Sequence, residues 1–368
     1  MTAVDRLRLA RSDGVGPVTY RRLMRQFGSA AAALDGLPAL ARDAGRDKAP
    51  RIPSRTDAQR ELDRVAKLGG RMLFLDDPDY PALLALMGIA PPVLSVLGDV
   101  AVLGVRAVAV VGARNASAAG QRMAEMLSSD LASAGLVVVS GMARGIDAAA
   151  HEGAMRTGRT VAVLGGGIDV FYPAENTALQ RLVAENGAVV AEAPFGTAPM
   201  AQHFPRRNRI IAGLSLGVVV VEATPHSGSL HTAHLAQDIG REVYAVPGSP
   251  LDPRCQGSND LLRKGATLTE NARDVLAQLP EYPAAVPVML PGLAEQPASY
   301  GDEMDPVMVR ERLLGLLGFT PTPVDDLVRR CQLSAAAVAA ALSDLELASR
   351  VEMLPGHQVC LAAGDAEA

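Results

Sequence analysis

The sequence contains no tryptophan, and aromatic residues make up only 3% of its 368 residues. Proteins that coat single-stranded nucleic acid commonly stack bases on aromatic side chains, so this scarcity argues against a surface with many stacking platforms. Only three cysteines occur, at Cys255, Cys331 and Cys360. Their wide spacing excludes a disulfide framework and a CxxC zinc site, and it favours a reduced, cytoplasmic environment.

Long apolar runs are also missing. No stretch reaches the roughly 20 residues of a membrane-spanning helix, and the first 11 residues hold no signal-peptide core. We therefore expect no contact with a membrane. Hydrophobic residues at 49% and charged residues at 20% allow large buried cores, and the length suits two or three domains.

Charge and proline divide the chain into segments. Residues 1–75 carry 15 Lys and Arg against 8 Asp and Glu, although the whole chain has a net charge of -5. Residues 280–306 hold six prolines, five acidic residues and no cation, which is typical of an extended linker. The predicted domains are a helical domain (1–72), an α/β domain (73–279), this Pro-rich acidic linker (280–306) and a winged-helix domain (307–368).

The central segment alternates apolar, β-branched runs with amphipathic stretches such as Gln121–Ser133 and Leu230–Ile239. Continuous Val, Ile and Leu runs indicate strands that are buried on both faces, so this order predicts a doubly wound, mostly parallel α/β sheet. The candidate strands are Ala107–Val111, Leu136–Ser140, Thr160–Leu164, Ala188–Ala191, Val218–Val221 and Glu242–Val246.

The N-terminal segment contains the tight turn Asp13-Gly14-Val15-Gly16-Pro17, followed by a predicted helix over Val18–Phe27 that stops at Gly28. A Gly-hydrophobic-Gly turn between helices is typical of a helix-hairpin-helix unit, whose free amide groups can bind phosphate. Non-specific contact with a DNA backbone and a helical packing module with a solvated basic face both remain open.

The C-terminal segment reads as a winged helix. Three helices, of which the last two are Pro323–Cys331 and Ser334–Leu347, precede two strands over Val351–Leu361 around Pro355-Gly356. The third helix has no Arg or Lys, whereas a helix that enters the major groove needs cations and base-reading side chains. We therefore expect no strong DNA binding here; docking to a protein is more consistent, and a passive stabilising module is the alternative.

Glycines and arginines follow three successive candidate strands, in the segments Gly112–Ser117, Ser140–Asp147 and Gly165–Asp169. Ligands of open parallel sheets bind at the carboxyl ends of strands, where helix N-termini and glycine amides attract anions. Arg114 and Arg144 add full charges that can bind phosphate. No G-x-G-x-x-G or P-loop motif occurs, which disfavours a dinucleotide cofactor and an NTPase.

A further cluster, Phe204-Pro205-Arg206-Arg207-Asn208-Arg209, opens another predicted helix on the same edge. Arg207 is expected to reach the pocket and Arg206 to be solvated, while Phe204 is the only evident stacking candidate. Ser227 is expected to contact ligand as well as cap a helix, since the two roles are compatible. Lys264 is a candidate peripheral contact, with a plain surface position equally open.

Candidates for catalysis are few. Asp147, Asp169, Glu192 and Glu222 lie near strand ends, but we expect Asp147 and Glu222 to orient arginines or cap helices rather than to act as acid and base. His151 is expected to be structural. His226, His231 and His234 are expected at the surface because no further metal ligands accompany them. We therefore expect no enzyme activity, no metal and no cofactor.

An ordered series of motifs resembles the DNA-processing protein A (DprA/Smf) family. They lie between Tyr80-Pro81 and Ala266, and they comprise Val111-Gly112-Ala113-Arg114, Ser140 through Asp147 with His151, Tyr172-Pro173 with Asn176, Phe204 through Gly213, Ser227-Gly228-Ser229, Pro247-Gly248 and Gly257 through Ala266. Two departures occur: Ala113 stands where the family usually has Ser, and residues 200–203 contain no Lys, which some members carry there.

The resemblance implies a Rossmann-like domain that binds single-stranded DNA, flanked by a SAM/helix-hairpin-helix-like domain and a winged helix. It implies a homodimer that protects incoming DNA and loads RecA recombinase onto it during natural transformation, with no catalytic turnover. An enzyme that binds or hydrolyses nucleotides on the same fold is the alternative. The predicted DNA-binding residues are Gly112, Arg114, Ser117, Gly141, Arg144, Gly165, Phe204, Arg207, Asn208, Arg209, Ser227 and Lys264.

Overall fold

A computed structural model describes residues 2–46, 48–281, 306–354 and 358–362. Almost all of the predicted linker (280–306) and the Pro355-Gly356 turn lie outside the described residues. The chain forms two compact units. One unit joins the residues up to Arg60 to the described residues of the C-terminal segment, and the other begins at Glu61 and contains the sheet.

The N-terminal segment is helical, as predicted. The turn at Gly16 leads into the second helix, whose first residue is Pro17, a position where the missing N–H costs nothing. That helix ends where Gly28 adopts φ 69°, a left-handed conformation that glycine tolerates. The helices are α1 (Ala3–Ala10), α2 (Pro17–Phe27), α3 (Ala30–Asp43) and α4 (Arg55–Lys67).

The second unit is built on a nine-stranded sheet of order β1-β2-β6-β5-β4-β3-β7-β8-β9. Strands β3 to β9 pair in parallel, while β1 and β2 pair antiparallel at one edge. The strands are β1 (Arg71–Phe74), β2 (Val93–Gly98), β3 (Ala107–Val111), β4 (Val137–Ser140), β5 (Thr160–Leu164), β6 (Ala188–Ala191), β7 (Gly217–Val220), β8 (Glu242–Ala245) and β9 (Thr267–Leu268). The doubly wound, mostly parallel sheet is confirmed, and β1, β2 and β9 are additions to the six predicted strands.

Helices cover both faces of this sheet. They are α5 (Ala82–Ala85), α6 (Ala118–Ser133), α7 (Ile146–Met155), α8 (Thr177–Asn186), α9 (His203–Leu214), α10 (Gly228–Asp238), α11 (Gln256–Arg263) and α12 (Ala272–Gln278). The side chains of β3 alternate between two buried clusters: Ala107, Ala109 and Val111 face one, and Val108 and Val110 face the other. Burial on both faces explains why the strand sequences show no polar alternation.

The strand order reverses at β3. The chain runs from β3 through β4 and β5 to β6 on one side, and then continues through β7, β8 and β9 on the other side. The loops that leave β3 and its neighbour β7 therefore turn towards opposite faces and open a crevice at their carboxyl ends. Ligands of doubly wound sheets bind at such a switch point.

The C-terminal segment forms the predicted winged helix. Its elements are α13 (Pro306–Leu314), β10 (Thr322–Pro323), α14 (Val324–Cys331), α15 (Ala335–Leu347), β11 (Val351–Leu354) and β12 (Gln358–Leu361). Strand β12 pairs antiparallel with both β10 and β11, and the apolar sides of the helices form one buried cluster with the sheet. Within the described ranges, no helix combines the length and apolarity needed to cross a membrane.

Candidate functional site

Two adjoining cavities lie over the carboxyl ends of the parallel strands. The larger, about 730 Å³, occupies the switch point between the loop after β3 and the start of α10. The smaller, about 390 Å³, lies over the ends of β4 and β5. Arg114, Tyr172 and Phe204 line both cavities and form the ridge between them.

The ridge combines a cation with two aromatic rings. The guanidinium carbon of Arg114 lies 5.0 Å from the centre of the Phe204 ring, a cation–π distance. The rings of Tyr172 and Phe204 are 5.8 Å apart at an angle of 37°. Arg114 is exposed, and no carboxylate of the described residues forms an ion pair with it. Its charge is therefore available to an anion that enters either cavity.

The expectation of a single stacking candidate was wrong. Phe171 and Tyr172 line the smaller cavity together with Phe204, and Phe171 and Tyr172 are 40% and 46% exposed. Both residues follow the three glycines at the end of β5. Their position in a loop after a parallel strand is the sequence signal that could have identified them. Low aromatic content overall does not exclude a local concentration of rings.

Arg207 is a buried support of the cavity wall. Its Nη1 donates hydrogen bonds to the carbonyl oxygens of Gly141, at 2.5 Å, and Val163. A Cβ on Gly141 would collide with this guanidinium, so the close approach requires glycine. Burial lowers the pKa of Arg207 to about 10, with Asp147 raising it and Arg114 lowering it by smaller amounts. Arg207 lines the larger cavity as expected, but carbonyl groups already occupy much of its donor capacity.

Asp147 lies in the wall of the larger cavity and is buried. Its Oδ2 accepts a hydrogen bond from the amide of Ala143 at 3.3 Å, which holds the loop after β4. Burial raises the pKa of this carboxyl, and the nearby Arg207 opposes that rise. A carboxyl that holds a loop and faces an arginine acts as an orienting group, which agrees with the expectation from the sequence.

Glu222 fixes the loop that carries Arg114. Its two carboxylate oxygens accept hydrogen bonds from the hydroxyl of Ser117, at 2.5 Å, and from the amide of Ser117, at 2.9 Å. Ser117 also caps α6 through a bond from the amide of Gly120. Ser117 lines neither of these two cavities, and its bonds to Glu222 and Gly120 hold the loop that carries Arg114.

Two other predicted residues lie away from the cavities. Arg209 is buried and pairs with both carboxylate oxygens of Glu192, at 2.5 and 2.6 Å. Because successive residues of a helix are turned by about 100°, Arg207 and Arg209 face different directions on α9. Lys264 is exposed and pairs with Asp260 at 2.8 Å, at the C-terminal end of α11. The structure assigns neither side chain to the cavity walls.

The other predicted residues are brought together. Those that line one or both cavities are Gly112, Arg114, Gly141, Arg144, Gly165, Phe204, Arg207, Asn208 and Ser227. Arg144 is exposed and lies 3.7 Å from Glu175, a distance at which the pairing is weak. Ser227 caps α10, as expected. Residues of the walls that sequence reasoning missed include Met142, Pro199 and Arg254.

The four histidines considered in the sequence differ in burial. His151 is fully buried, and its Nδ1 lies 2.7 Å from the hydroxyl of Thr160, as a structural role requires. His226 and His234 are exposed, as expected. His231 differs, because it lines the larger cavity and burial lowers its pKa. The described residues contain no cluster of three or more His, Cys, Asp or Glu that could hold a metal ion.

Comparison with known proteins gives matches along almost the whole chain. The family model described as DNA recombination-mediator protein A matches residues 71–280. A DprA-like N-terminal HHH domain matches residues 1–63, and a DprA winged helix domain matches residues 298–357. These matches agree with the three folded parts that the motifs predicted.

Curated relatives cover much of the chain. Protein Smf of Synechocystis is 33% identical over 93% of this chain and 94% of its own length. Protein Smf of Escherichia coli is 38% identical over 78% of this chain and 76% of its own. The DNA processing protein DprA of Streptococcus pneumoniae is 44% identical over 55% of this chain and 72% of its own.

Two solved structures are similar in fold. The X-ray structure of DprA from Streptococcus pneumoniae has a TM-score of 0.67 at 33% identity, over 77% of this chain and 99% of its own. DprA from Helicobacter pylori, whose structure is described as showing a single-stranded DNA binding mode, has a TM-score of 0.53 at 28% identity, over 57% of this chain and 95% of its own. Together with the matched domains, these similarities show that the chain belongs to the DNA recombination-mediator protein A family.

Proposed function

We propose that this chain binds single-stranded DNA along the two cavities, with phosphates at Arg114 and bases beside Phe204 and Tyr172. The observation that carries the proposal is the ridge, where an exposed arginine and two aromatic rings separate two cavities at the switch point of the sheet. The Helicobacter pylori relative, described as binding single-stranded DNA, supports it.

The chemistry of the ridge suits a single strand better than a duplex. Arg114 supplies charge and directional donors for a phosphate, while the rings supply flat surfaces on which unpaired bases can stack. The supporting carboxylates face inward: Glu222 bonds Ser117 and Glu192 bonds Arg209. They therefore do not neutralise the ridge. Base recognition by rings alone predicts little sequence preference.

The test compares two arginines on opposite ends of the sheet. Arg114→Ala should weaken binding of an oligothymidylate about tenfold and reduce the salt slope by about 0.7, the value for one phosphate contact on a single strand. Arg159→Ala is the matched control, because Arg159 precedes β5 at its amino end and pairs with Asp99. Fluorescence anisotropy at several salt concentrations measures both; equal losses in the two variants would refute the ridge as the binding site.

Binding is the first step of the proposed role. We infer that the protein works in the cytoplasm as a homodimer, protects incoming strands and loads RecA recombinase onto them during natural transformation. Membership of the family supports this. With the intact chain, RecA filaments should form faster on strands covered by a single-strand binding protein. Sedimentation should give twice the chain mass, and a failure to speed filament formation would remove the loading step.

No chemical step is proposed at the cavities. Asp147 holds the loop after β4, and Glu222 holds the loop after β3, so these two carboxylates already have structural roles. Incubation with mononucleotides, followed by chromatography, should return them unchanged. Release of a base or of phosphate would favour the alternative, an enzyme that hydrolyses nucleotides.

A further inference from the structure

The third helix of the winged helix, α15, packs against the N-terminal helices. The hydroxyl of Thr19 donates a hydrogen bond to Oε2 of Glu346 at 2.5 Å. Arg22 forms an ion pair with Asp344 at 2.8 Å. All of these residues belong to the same compact unit, although more than 300 residues of sequence separate the partners.

An apolar contact supports the polar ones. Leu347, at the end of α15, is fully buried in the core of the N-terminal segment, in the same cluster as Leu9, Leu23 and Leu37. Arg46 donates a hydrogen bond to the carbonyl oxygen of Leu347 at 3.4 Å. A surface that buries an apolar anchor and surrounds it with charged pairs has the composition of a specific interface.

Glu346 lies where an anion would bind the turn before α2. Gly16 is the N-cap residue of the 11-residue helix α2 and has no side chain, so it supplies no side-chain capping oxygen to the first amides. A Cβ on Gly16 would lie 2.4 Å from Oε1 of Glu346, which places the carboxylate directly against the turn. Helix N-termini favour negative charge, and Glu346 supplies it from the winged helix.

We propose that α15 is an internal latch, in which Glu346 occupies the turn Asp13–Pro17 and Asp344 holds Arg22 of α2 until the phosphodiester backbone of a nucleic acid displaces them. Asp344 also lies 3.5 Å from Arg310 of α13 within the winged helix. The latch accounts for a helix without Lys or Arg, because its two carboxylates are complementary to Arg22 and to the N-terminus of α2. The closed form masks the turn, while the ridge of the sheet unit binds DNA independently of it.

We expect a nucleic acid to compete with the latch for α2, because the carboxylates of the latch carry the same negative charge as backbone phosphates. Asp344 and Glu346 place two negative charges against α2, as two phosphates of a backbone would, and the N-terminal 75 residues carry a net excess of cations. Arg22 and Arg46 would be released from Asp344 and from the Leu347 carbonyl in the open form. Their released donors suit phosphate oxygens.

The test removes charge from the latch without changing its shape. Asp344→Asn combined with Glu346→Gln replaces two carboxylates by amides of the same size. The matched control, Glu311→Gln combined with Glu352→Gln, makes the same change of net charge at exposed positions of the same winged helix. Hydrogen–deuterium exchange of the full chain reports opening at residues 17–27 and 335–347.

In the latch variant, exchange in both segments should rise about threefold, the size expected for lost, partly exposed ion pairs, while the control should match the unmodified protein. Gly16→Ala is a second way to open the latch, since its methyl group would displace the Glu346 carboxylate without any change of charge. Unchanged exchange in both latch variants would overturn the proposal.

DNA binding is then measured in an Arg114→Ala background, which weakens the ridge and separates the two sites. Adding the Asp344→Asn and Glu346→Gln changes should raise the affinity for oligothymidylate about threefold, with a steeper salt slope. The Glu311 and Glu352 changes should not. Faster exchange without this gain would show a structural contact with no masked site, and would overturn the latch while leaving the proposed ridge function intact.

Discussion

The ridge of the sheet unit and the turn before α2 have similar components, but their arginines differ in whether they form ion pairs. Each places a glycine-containing loop at the start of a helix, with arginines beside it. At the ridge, Arg114 is exposed and has no ion-pair partner among the described residues. At the turn, Arg22 pairs with Asp344, and Arg46 pairs with Asp13 at 3.3 Å. The availability of a cation, rather than the number of cations, therefore distinguishes the proposed binding surface from the occupied turn.

The position of the carboxylates creates this difference. In the sheet unit, Glu222 and Asp147 point at backbone amides, and Glu192 pairs with the buried Arg209. They stabilise the loops, and none of these three carboxylates forms an ion pair with the exposed Arg114. At the turn, acidic side chains face the arginines directly. Counting charges along the sequence, which makes residues 1–75 the basic part, points to the turn first, whereas the geometry points to the ridge.

The largest effect is expected from Arg207, the buried arginine of the sheet unit. Arg207→Ala removes two hydrogen bonds to buried carbonyl groups and leaves Asp147 without its cation. We expect a loss of about 3 kcal/mol in the free energy of unfolding of this unit. Urea denaturation followed by circular dichroism measures the loss. The comparison then separates the supporting arginine, Arg207, from Arg114, the arginine that we propose binds phosphate.

The neighbouring residue is the matched control for this change. Arg206 is exposed, and Arg206→Ala should alter the free energy of unfolding by less than about 1 kcal/mol. If Arg207→Ala left stability unchanged but abolished DNA binding, the division of the ridge into one supporting and one binding arginine would be wrong, and Arg207 would join Arg114 as a direct phosphate contact.

Acid should affect the sheet unit before the other unit. Burial lowers the pKa of His151 to about 3, below the value near 6.5 of an unfolded histidine. The unfolded chain then binds a proton that the folded unit does not, so stability is complete above pH 6.5 and falls by at most about 1.4 kcal/mol per pH unit towards pH 3. The described residues of the other unit contain no histidine.

The variant His151→Phe isolates this effect. Thr160 donates its hydroxyl proton to the carbonyl oxygen of Val138, so Nδ1 of His151 carries a proton and donates to Thr160. The Nε2 atom is buried without a partner, which makes an apolar ring a tolerable replacement. Urea denaturation at pH 7, 6, 5 and 4 should show a smaller loss for the variant, while His234→Gln should follow the unmodified protein. An equal loss of stability on acidification in the unmodified protein and in both variants would refute the assignment of this pH dependence to His151.

The sequence was sufficient for most of the sheet. The six predicted strands are present with ends shifted by no more than one residue, because fully buried parallel strands need uninterrupted apolar runs. The antiparallel strands β1 and β2 were missed. The pairing of β2 with β6 places Ser95 and Gly98 opposite strand residues, a tertiary contact that no local pattern indicates. The local sequence was sufficient to predict that Ser117 caps a helix, but it did not indicate the hydrogen bond between Ser117 and Glu222.

The arginine cluster on α9 shows where sequence reasoning stopped. Arg206, Arg207 and Arg209 lie within four residues, and the spacing alone predicts that they point in different directions. The spacing does not say which of them is exposed. Glu192 holds Arg209 beneath the edge, and the carbonyl groups of Gly141 and Val163 hold Arg207 in the wall. These partners come from other strands, so only the folded sheet reveals them.

The smallest expected effect concerns the rings of the ridge, and it distinguishes the ridge from the turn most sharply. Phe204→Ala and Tyr172→Ala should each reduce the affinity for oligothymidylate by about 1 kcal/mol, because each removes a surface on which a base stacks. Unlike Arg114→Ala, they should leave the salt slope unchanged, since the slope counts phosphate contacts. Phe319→Ala, at an exposed position of the winged helix, is the control. If the control weakened binding as much as the ridge variants, the strand would contact the winged-helix unit as well, and the contrast between an open ridge and an occupied turn would not hold.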